Sequence, residues 1–230
     1  MKILALDSAT EALSVALDLD GSVSERFEVI GRGHAERMLP LVDELLTGAG
    51  LSLRDLDAIA FGRGPGAFTG VRIAISVAQG LSLGSGVPLI PVSDLEALGA
   101  AALKLADADH ALACLDARMG EVYFGLTALD ANGTPRLLAE GLAAPAAVPE
   151  LPPTARVVGA GHGFSAYPVL RERFSASLRR ILPDLLPSAA VIAELARREL
   201  RAGRVYSALE VEPVYLRNDV ATRSGRAPGK

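Results

Sequence analysis

The chain is short of several things that would settle its chemistry at once. Its 230 residues hold a single cysteine, Cys114 in ALACLD, which excludes a disulfide framework and a cysteine-based zinc cluster. Half of the residues are hydrophobic, yet no apolar run approaches the ~18 residues that a membrane span needs. The opening MKILALDSAT reads as a short strand ending in an acid, not as a signal peptide. Residues 61–80 contain no lysine, so the glycine-rich loop there is not a P-loop. No H-E-x-x-H helix occurs. These absences leave a soluble, cytoplasmic chain with material for one large domain or two small ones, and no membrane partner.

Charge is modest overall but uneven. The net charge of −4 combines 11 Lys+Arg against 20 Asp+Glu in residues 1–170 with 12 against 7 in residues 171–230. A basic C-terminal region can attract RNA or an acidic partner. The simpler reading makes RERFSASLRR and ELARRELRAGR helices with solvated arginine faces. Neither segment carries aromatics spaced for base stacking.

The first third of the chain punctuates itself clearly. KILALD (2–7) is a short strand, and LSVALDL (13–19) and SVSERFEVI (22–30) flank Asp20-Gly21, a strong hairpin signal. After Gly33, residues Met38, Leu41, Val42 and Leu45 recur at helical spacing, and Gly48 marks a stop. Strands follow at 56–62 and 87–93, with helices at 70–84 and 94–106. The second half restarts the same way: ALACLDARMGEVYFGLTAL (111–129) repeats the strand, Leu-Asp, turn, strand pattern of residues 3–19. A third strand is expected near TPRLLAEG, then an Ala/Pro-rich link (143–153), a strand at 155–161, and helical segments near 163–174 and 188–202. Two α/β halves result: 1–107 with the candidate pairing helices, and 108–220. Residues 221–230 have the composition of a flexible tail.

The loop FGRGPGAFTGVRIAISVAQG (61–80) poses the main question. Gly62, Gly64 and Ala67 formally satisfy a dinucleotide fingerprint, but three strands and a helix precede it, Pro65 stiffens the turn, and the nearest following acid is Asp94. Gly64, Pro65 and Gly66 instead favour close approach of backbone or ligand. Thr69 is a candidate N-cap for a helix starting at Gly70. Arg72 opposes the dipole of that first turn, which calls for an anionic partner: an internal carboxylate, a neighbouring chain or a phosphate. Gly70, Ala74 and Ala78 form a small-residue stripe, and Ile73, Val77 and Leu81 an apolar one. Either the two stripes are buried within the monomer, or they meet another chain together with the face of the first helix.

Taken in order, LALDSAT, HAERMLP, GRGPGAFTGVRIA, LDARMGEVY and PVYLR resemble the TsaB family of bacterial tRNA threonylcarbamoyladenosine-biosynthesis proteins, over nearly the whole chain. The resemblance implies an actin-like (RNase H-like) fold of two duplicated βββαβα lobes. It implies a part in transferring threonylcarbamoyl to adenosine 37 of tRNAs that read codons beginning with A. It also implies pairing with the catalytic paralogue TsaD through the first lobe's helices. That surface would include His34, Met38, Leu41, Val42 and Leu45 on the first helix, and Gly70, Ile73, Ala74, Val77, Ala78 and Leu81 on the second. The ATPase TsaE joins the assembly, TsaC supplies the threonylcarbamoyl-adenylate, tRNA is met through the complex, and the chain alone forms a homodimer.

The catalytic relative holds a metal with H-x-x-x-H, where this chain reads His34-Ala-Glu-Arg-Met38. A thioether in the second position is too soft for an oxygen-rich phosphoryl site, so no metal and no catalytic residue are expected here. ATP and a metal are expected at partner subunits instead. Asp7, Ser8 and Thr10, with Asp116 in the matching place of the second half, mark a vestigial nucleotide cleft. In the alternative reading the chain is a stand-alone nucleotide- or metal-dependent hydrolase or peptidase. A third reading is a tRNA-binding module using Arg179, Arg180, Arg197 and Arg198.

Overall fold

Two five-stranded sheets of the same topology form the frame. The computed structural model describes residues 1–152, 155–214 and 216. Tyr215 and Arg217 of the PVYLR motif, and the tail at 221–230, lie outside the described residues.

The first sheet is built from β1 (Lys2–Asp7), β2 (Ala12–Leu19), β3 (Ser22–Val29), β4 (Ala58–Gly62) and β5 (Leu89–Val92) in the order β3-β2-β1-β4-β5. Asp20 and Gly21 both take positive φ, 52° and 99°, which matches the twist of the β2–β3 hairpin as expected from the sequence. β4 pairs parallel to β1 and β5 parallel to β4, so helices must return the chain across the sheet. These are α1 (His34–Gly48) and α2 (Phe68–Ser85), and α3 (Asp94–Lys104) follows β5.

The second sheet has β6 (His110–Arg118), β7 (Glu121–Leu129), β8 (Pro135–Ala143), β9 (Val157–Ala160) and β10 (Leu178–Leu182) in the order β8-β7-β6-β9-β10. Strand for strand this repeats the first sheet, which bears out the duplicated α/β lobes. The short helices α4 (Gly163–Ala166) and α5 (Pro168–Arg173) lie between β9 and β10, and α6 (Ala189–Arg201) comes last.

β10 is a correction. RERFSASLRR reads as part of a helix, but the chain leaves α5 at Arg173 and Leu178–Leu182 runs parallel to β9 with a bulge between Leu178 and Arg180. Its arginines sit on an edge strand, where charge blocks pairing with another chain.

Alternation along the strands assigns the layers. Leu4, Leu6, Leu13, Val15, Ile59 and Phe61 face α1 and α2 on one side of the first sheet. Ile3, Ala5, Ala16, Ala58 and Ala60 face the other way. There α6 packs through Ile192 and through Ala189, Ala193 and Ala196, small side chains that let helix and sheet approach closely. The last helix of the second half therefore covers the first sheet, and the chain beyond it continues there. Tyr206 bridges to Leu89, and the Gln79 Nε2 donates to the Ala208 and Val211 carbonyls at 3.0 and 3.1 Å. α3 packs Leu95, Leu98 and Ala102 against the second sheet, so α3 and α6 fill the space between the sheets. Phe164, Leu170 and Phe174 close the outer face of the second sheet.

Candidate functional site

The strand ends β1, β4 and β5 converge on the glycine-rich loop, and the loop packs on the chain itself. Ala67 N–H donates to the Ala9 carbonyl at 2.7 Å, and the Ser8 hydroxyl donates to the Gly70 carbonyl at 2.8 Å. A Cβ on Gly66 or Gly70 would overlap the backbone of Ala9 or Ser8. Glycine is required at these positions because two backbones meet there. The Gly64–Pro65 peptide is cis, and Val214 N–H reaches the Arg63 carbonyl at 3.1 Å. α2 begins at Phe68 with Ala67 at the cap position and no side-chain cap. Thr69 is thus inside the first turn and is not the N-cap: the close docking of residues 66–70 on residues 8–9 starts the helix two residues early. The Arg72 guanidinium lies 3.6 Å from the centroid of the Phe68 ring, an arrangement that favours the cation.

Beneath the loop lie two buried carboxylates. Asp7 accepts from Ala9 N–H at 2.9 Å, and Asp94 accepts from Gly64 N–H at 2.5 Å. Both are fully buried and both lean over Gly62, where a Cβ would lie 2.7 Å from Asp7 Oδ1 and would overlap Asp94 Oδ1. Burial raises both carboxyl groups above the ordinary aspartate range; the neighbouring Asp7 charge adds to the shift at Asp94, which is raised well above it. Two carboxyls this close and this buried do not both ionise readily, and Asp94 is the one raised further. Asp94, in the first turn of α3, is thus the buried acidic neighbour of Asp7. His34 faces the same pair closely enough to favour the Asp7 anion, and its buried Nε2 has no hydrogen-bond partner among the described residues.

These residues do not fit a nucleotide phosphate. Ser8 is tied to Gly70, the Thr10 hydroxyl accepts from Ala12 N–H at 3.2 Å, and residues 66–70 pack directly on Ser8 and Ala9. An acid pair that needs its own proton repels an anion. Among the described residues no three His, Cys, Asp or Glu side chains meet so that they could hold a metal ion. Met38 is fully buried in the core.

Asp116, the counterpart of Asp7, sits in a different setting. It accepts from the Tyr167 hydroxyl at 2.7 Å and from Arg118 N–H at 2.8 Å, while its own N–H donates to His162 Nδ1 at 3.1 Å. Partial burial works against its anion, but the Tyr167 and Arg118 contacts outweigh it and hold the carboxyl below the ordinary range. No hydrogen bond or ion pair joins Asp116 to Asp7 among the described residues. Cys114 is buried, and desolvation pushes its thiol far up, which makes it inert as a nucleophile.

The residues expected at a partner interface divide in two. Met38, Leu41, Val42, Leu45, Ala74 and Ala78 belong to the chain's own core, and His34 and Gly70 are buried as well. The apolar stripe of α1 and the small-residue stripe of α2 turn toward the sheet. Ile73, Val77 and Leu81 pack at the edge of that core and are only partly buried. Next to them in sequence, Phe68 and Leu83 are exposed apolar side chains on α2, as Leu39 is on α1.

The four arginines proposed to hold RNA are also differentiated. Arg197 Nε pairs at 3.0 Å with Asp18, which is fully buried, and Arg198 pairs with Glu96 at 3.0 Å and Glu199 at 2.8 Å. Arg179 and Arg180 are exposed on β10.

Comparison with known proteins gives a consistent picture. Residues 28–219 match a family model described as TsaD: tRNA N6-adenosine threonylcarbamoyltransferase. The chain is 43% identical to the tRNA threonylcarbamoyladenosine biosynthesis protein TsaB of Escherichia coli, covering all of both chains. It is 38% identical to the Haemophilus influenzae protein of the same name, over all of this chain and 98% of that one. The solved structure of YeaZ from Pseudomonas aeruginosa superposes with a TM-score of 0.84 at 41% identity, over 94% of this chain and 99% of the other. With likeness over the full length and the duplicated fold in hand, the chain belongs to the TsaB family of tRNA threonylcarbamoyladenosine biosynthesis proteins.

Proposed function

We propose that this chain is a non-catalytic, activating subunit in the transfer of threonylcarbamoyl to adenosine 37 of tRNA. The full-length identity to TsaB proteins supports the pathway. The observation that carries the non-catalytic role is the docking of residues 66–70 onto Ser8 and Ala9, which fills the place of a phosphate with the chain's own backbone. The chain acts by docking to a TsaD subunit through the exposed side of α2 at Phe68, Ile73, Val77 and Leu81, and so lets the ATPase TsaE bind. Two copies meet through the same side when the chain is alone. ATP and a metal belong to the partner subunits, and TsaC supplies the activated threonylcarbamoyl group. No helix among the described residues is long and apolar enough to cross a membrane, in keeping with work on tRNA in the cytoplasm.

The test is reconstituted modification of tRNA with TsaD, TsaE and TsaC, with and without this chain, alongside light scattering of the mixtures. Modification that needs the chain, with a stable heterocomplex, is the expected result. Modification that proceeds equally without it overturns the reading. A hydrolase reading has less support, because the acid pair is sealed under the loop and the thiol is buried.

A further inference from the structure

Seven arginines line two grooves. Arg136, on β8, and Arg197, Arg198 and Arg201, on α6, line the first, of about 530 Å³, where Glu194 is the one carboxylate of the wall among the described residues. Arg156, Arg179 and Arg180 line the second, of about 450 Å³, with Asp107. The end of α3 stands between them. Lys104 pairs with Glu194 in the wall of the first groove, and the next residue, Leu105, accepts from Arg180 Nη1 at 3.0 Å in the wall of the second.

These guanidiniums differ in how they are held. Arg197 is anchored by buried Asp18 and Arg156 by Asp107 and Asp109, whereas Arg198 engages all three of its nitrogens, with Glu199, the Pro135 carbonyl and Glu96. A guanidinium held at one edge keeps N–H donors at another, already oriented. Arg179 and Arg201 are exposed and form no ion pair among the described residues.

We propose that the two grooves form one face that takes the phosphate backbone of RNA. This rests on the proposed function, in which tRNA is the substrate of the assembly. Planar guanidinium forks suit phosphate oxygens, and two grooves side by side suit a polymer with repeated negative charge. Among the described residues neither groove is lined by an aromatic side chain, so contacts go to the backbone and not to stacked bases. Among the described residues the apolar lining is confined to Leu105, Ala106 and Ala202, too little for the desolvated anchor of a protein interface. The rest of the chain is acidic, and it repels RNA from the other faces.

The experiment measures fluorescence anisotropy of a labelled tRNA transcript with the intact chain between about 50 and 200 mM salt. Three proteins are compared: wild type, the variant Arg179→Glu/Arg180→Glu/Arg201→Glu, and Arg54→Glu as a control outside both grooves. A milder variant, Arg179→Gln/Arg201→Gln, removes only groove charges that hold no internal ion pair, and thermal melts check that each protein folds. The proposal expects the triple variant to lose at least about tenfold in affinity, with a salt slope shallower by about two to three, and the control to match wild type. The double variant is expected to fall between them. Equal binding by wild type and both groove variants, or no binding by wild type at the low-salt end, overturns it. Restoration of modified tRNA in cells lacking their own TsaB tests the underlying reading separately. A chain that restores it without binding RNA refutes the groove alone. A chain that binds through the grooves but restores nothing refutes the function and upholds the face.

Discussion

Gly70 meets the Ser8 carbonyl so closely that no Cβ fits between them, and the Ser8 hydroxyl closes the contact by donating to the Gly70 carbonyl at 2.8 Å. Alanine at position 70 would gain about 1 kcal/mol of helix propensity. It would also force α2 and the β1–β2 turn apart, and neither is a flexible side-chain end that can swing away. Overpacking of this kind costs about 1–3 kcal/mol, so Gly70→Ala is expected to be net destabilising and to loosen the loop. Urea unfolding compared with wild type checks it; an unchanged or raised midpoint would show that the docked loop is not a close backbone contact.

Much of this frame is legible from local signals, and what is not legible depends on distant partners. Asp20-Gly21 announces its hairpin because the turn needs positive φ at both residues. The period of α1 and α2 reveals two apolar helices but not which side their stripes face. Met38 and Ala78 turn out to face the sheet, not another chain. β10 is hidden because its pairing comes from β9, some way back along the chain, and its arginines mask the strand pattern. Asp94 looks like an ordinary first-turn acid of α3, and only the fold brings it to Asp7. Nothing in the alanines of α6 says that they will seat on Ala5, Ala16, Ala58 and Ala60 of the other half's sheet.

The two stripes of α2 give a paired prediction for partner docking. Val77 is only partly buried, whereas Ala78 is fully buried. Val77→Glu is expected to weaken association with a TsaD subunit at least about tenfold, the loss of 1.4 kcal/mol or more, while the chain keeps a cooperative melt. Ala78→Glu places a charge in the core and is expected to abolish folding. Gel filtration with light scattering, alongside circular dichroism, separates the two. A Val77→Glu chain that still forms the complex fully would move the interface off α2.

Glu140 ties the two sheets together from the edge strand β8. It accepts from Arg63 Nη2 at 2.5 Å, just after β4, and from the Ser93 hydroxyl at 2.5 Å, just before α3. Arg63 and Glu140 are 22% and 14% exposed, so screening is limited and removal strands two partners. Glu140→Ala is expected to cost about 1–3 kcal/mol. A double-mutant cycle with Arg63→Ala should show coupling of about 1 kcal/mol or more. Hydrogen exchange should quicken in β8 and the first turn of α3. Additive effects of the two substitutions would mean that Arg63 and Glu140 do not act as a pair in holding the lobes together.

The acid pair makes stability fall as pH rises. Asp94 has its folded-state value raised well above the ordinary aspartate range by burial and by Asp7, so the folded chain holds a proton that the unfolded chain gives up. Its contribution is complete below the ordinary aspartate range and is lost on rising through the elevated folded value. Between those limits each pH unit costs about 1.4 kcal/mol for the one proton. Asp94→Asn can keep the contact with the loop, its amide oxygen accepting from Gly64 N–H, and it has no proton to lose. The variant should therefore resemble wild type at acid pH, become the more stable protein as pH rises, and show a flatter stability profile across that span. Denaturant titrations from about pH 4 to pH 9 test this directly. Parallel profiles for the two proteins would mean that the Asp94 carboxyl is not raised in the folded chain, and a variant weaker at every pH would place the carboxyl itself among the groups that hold the loop.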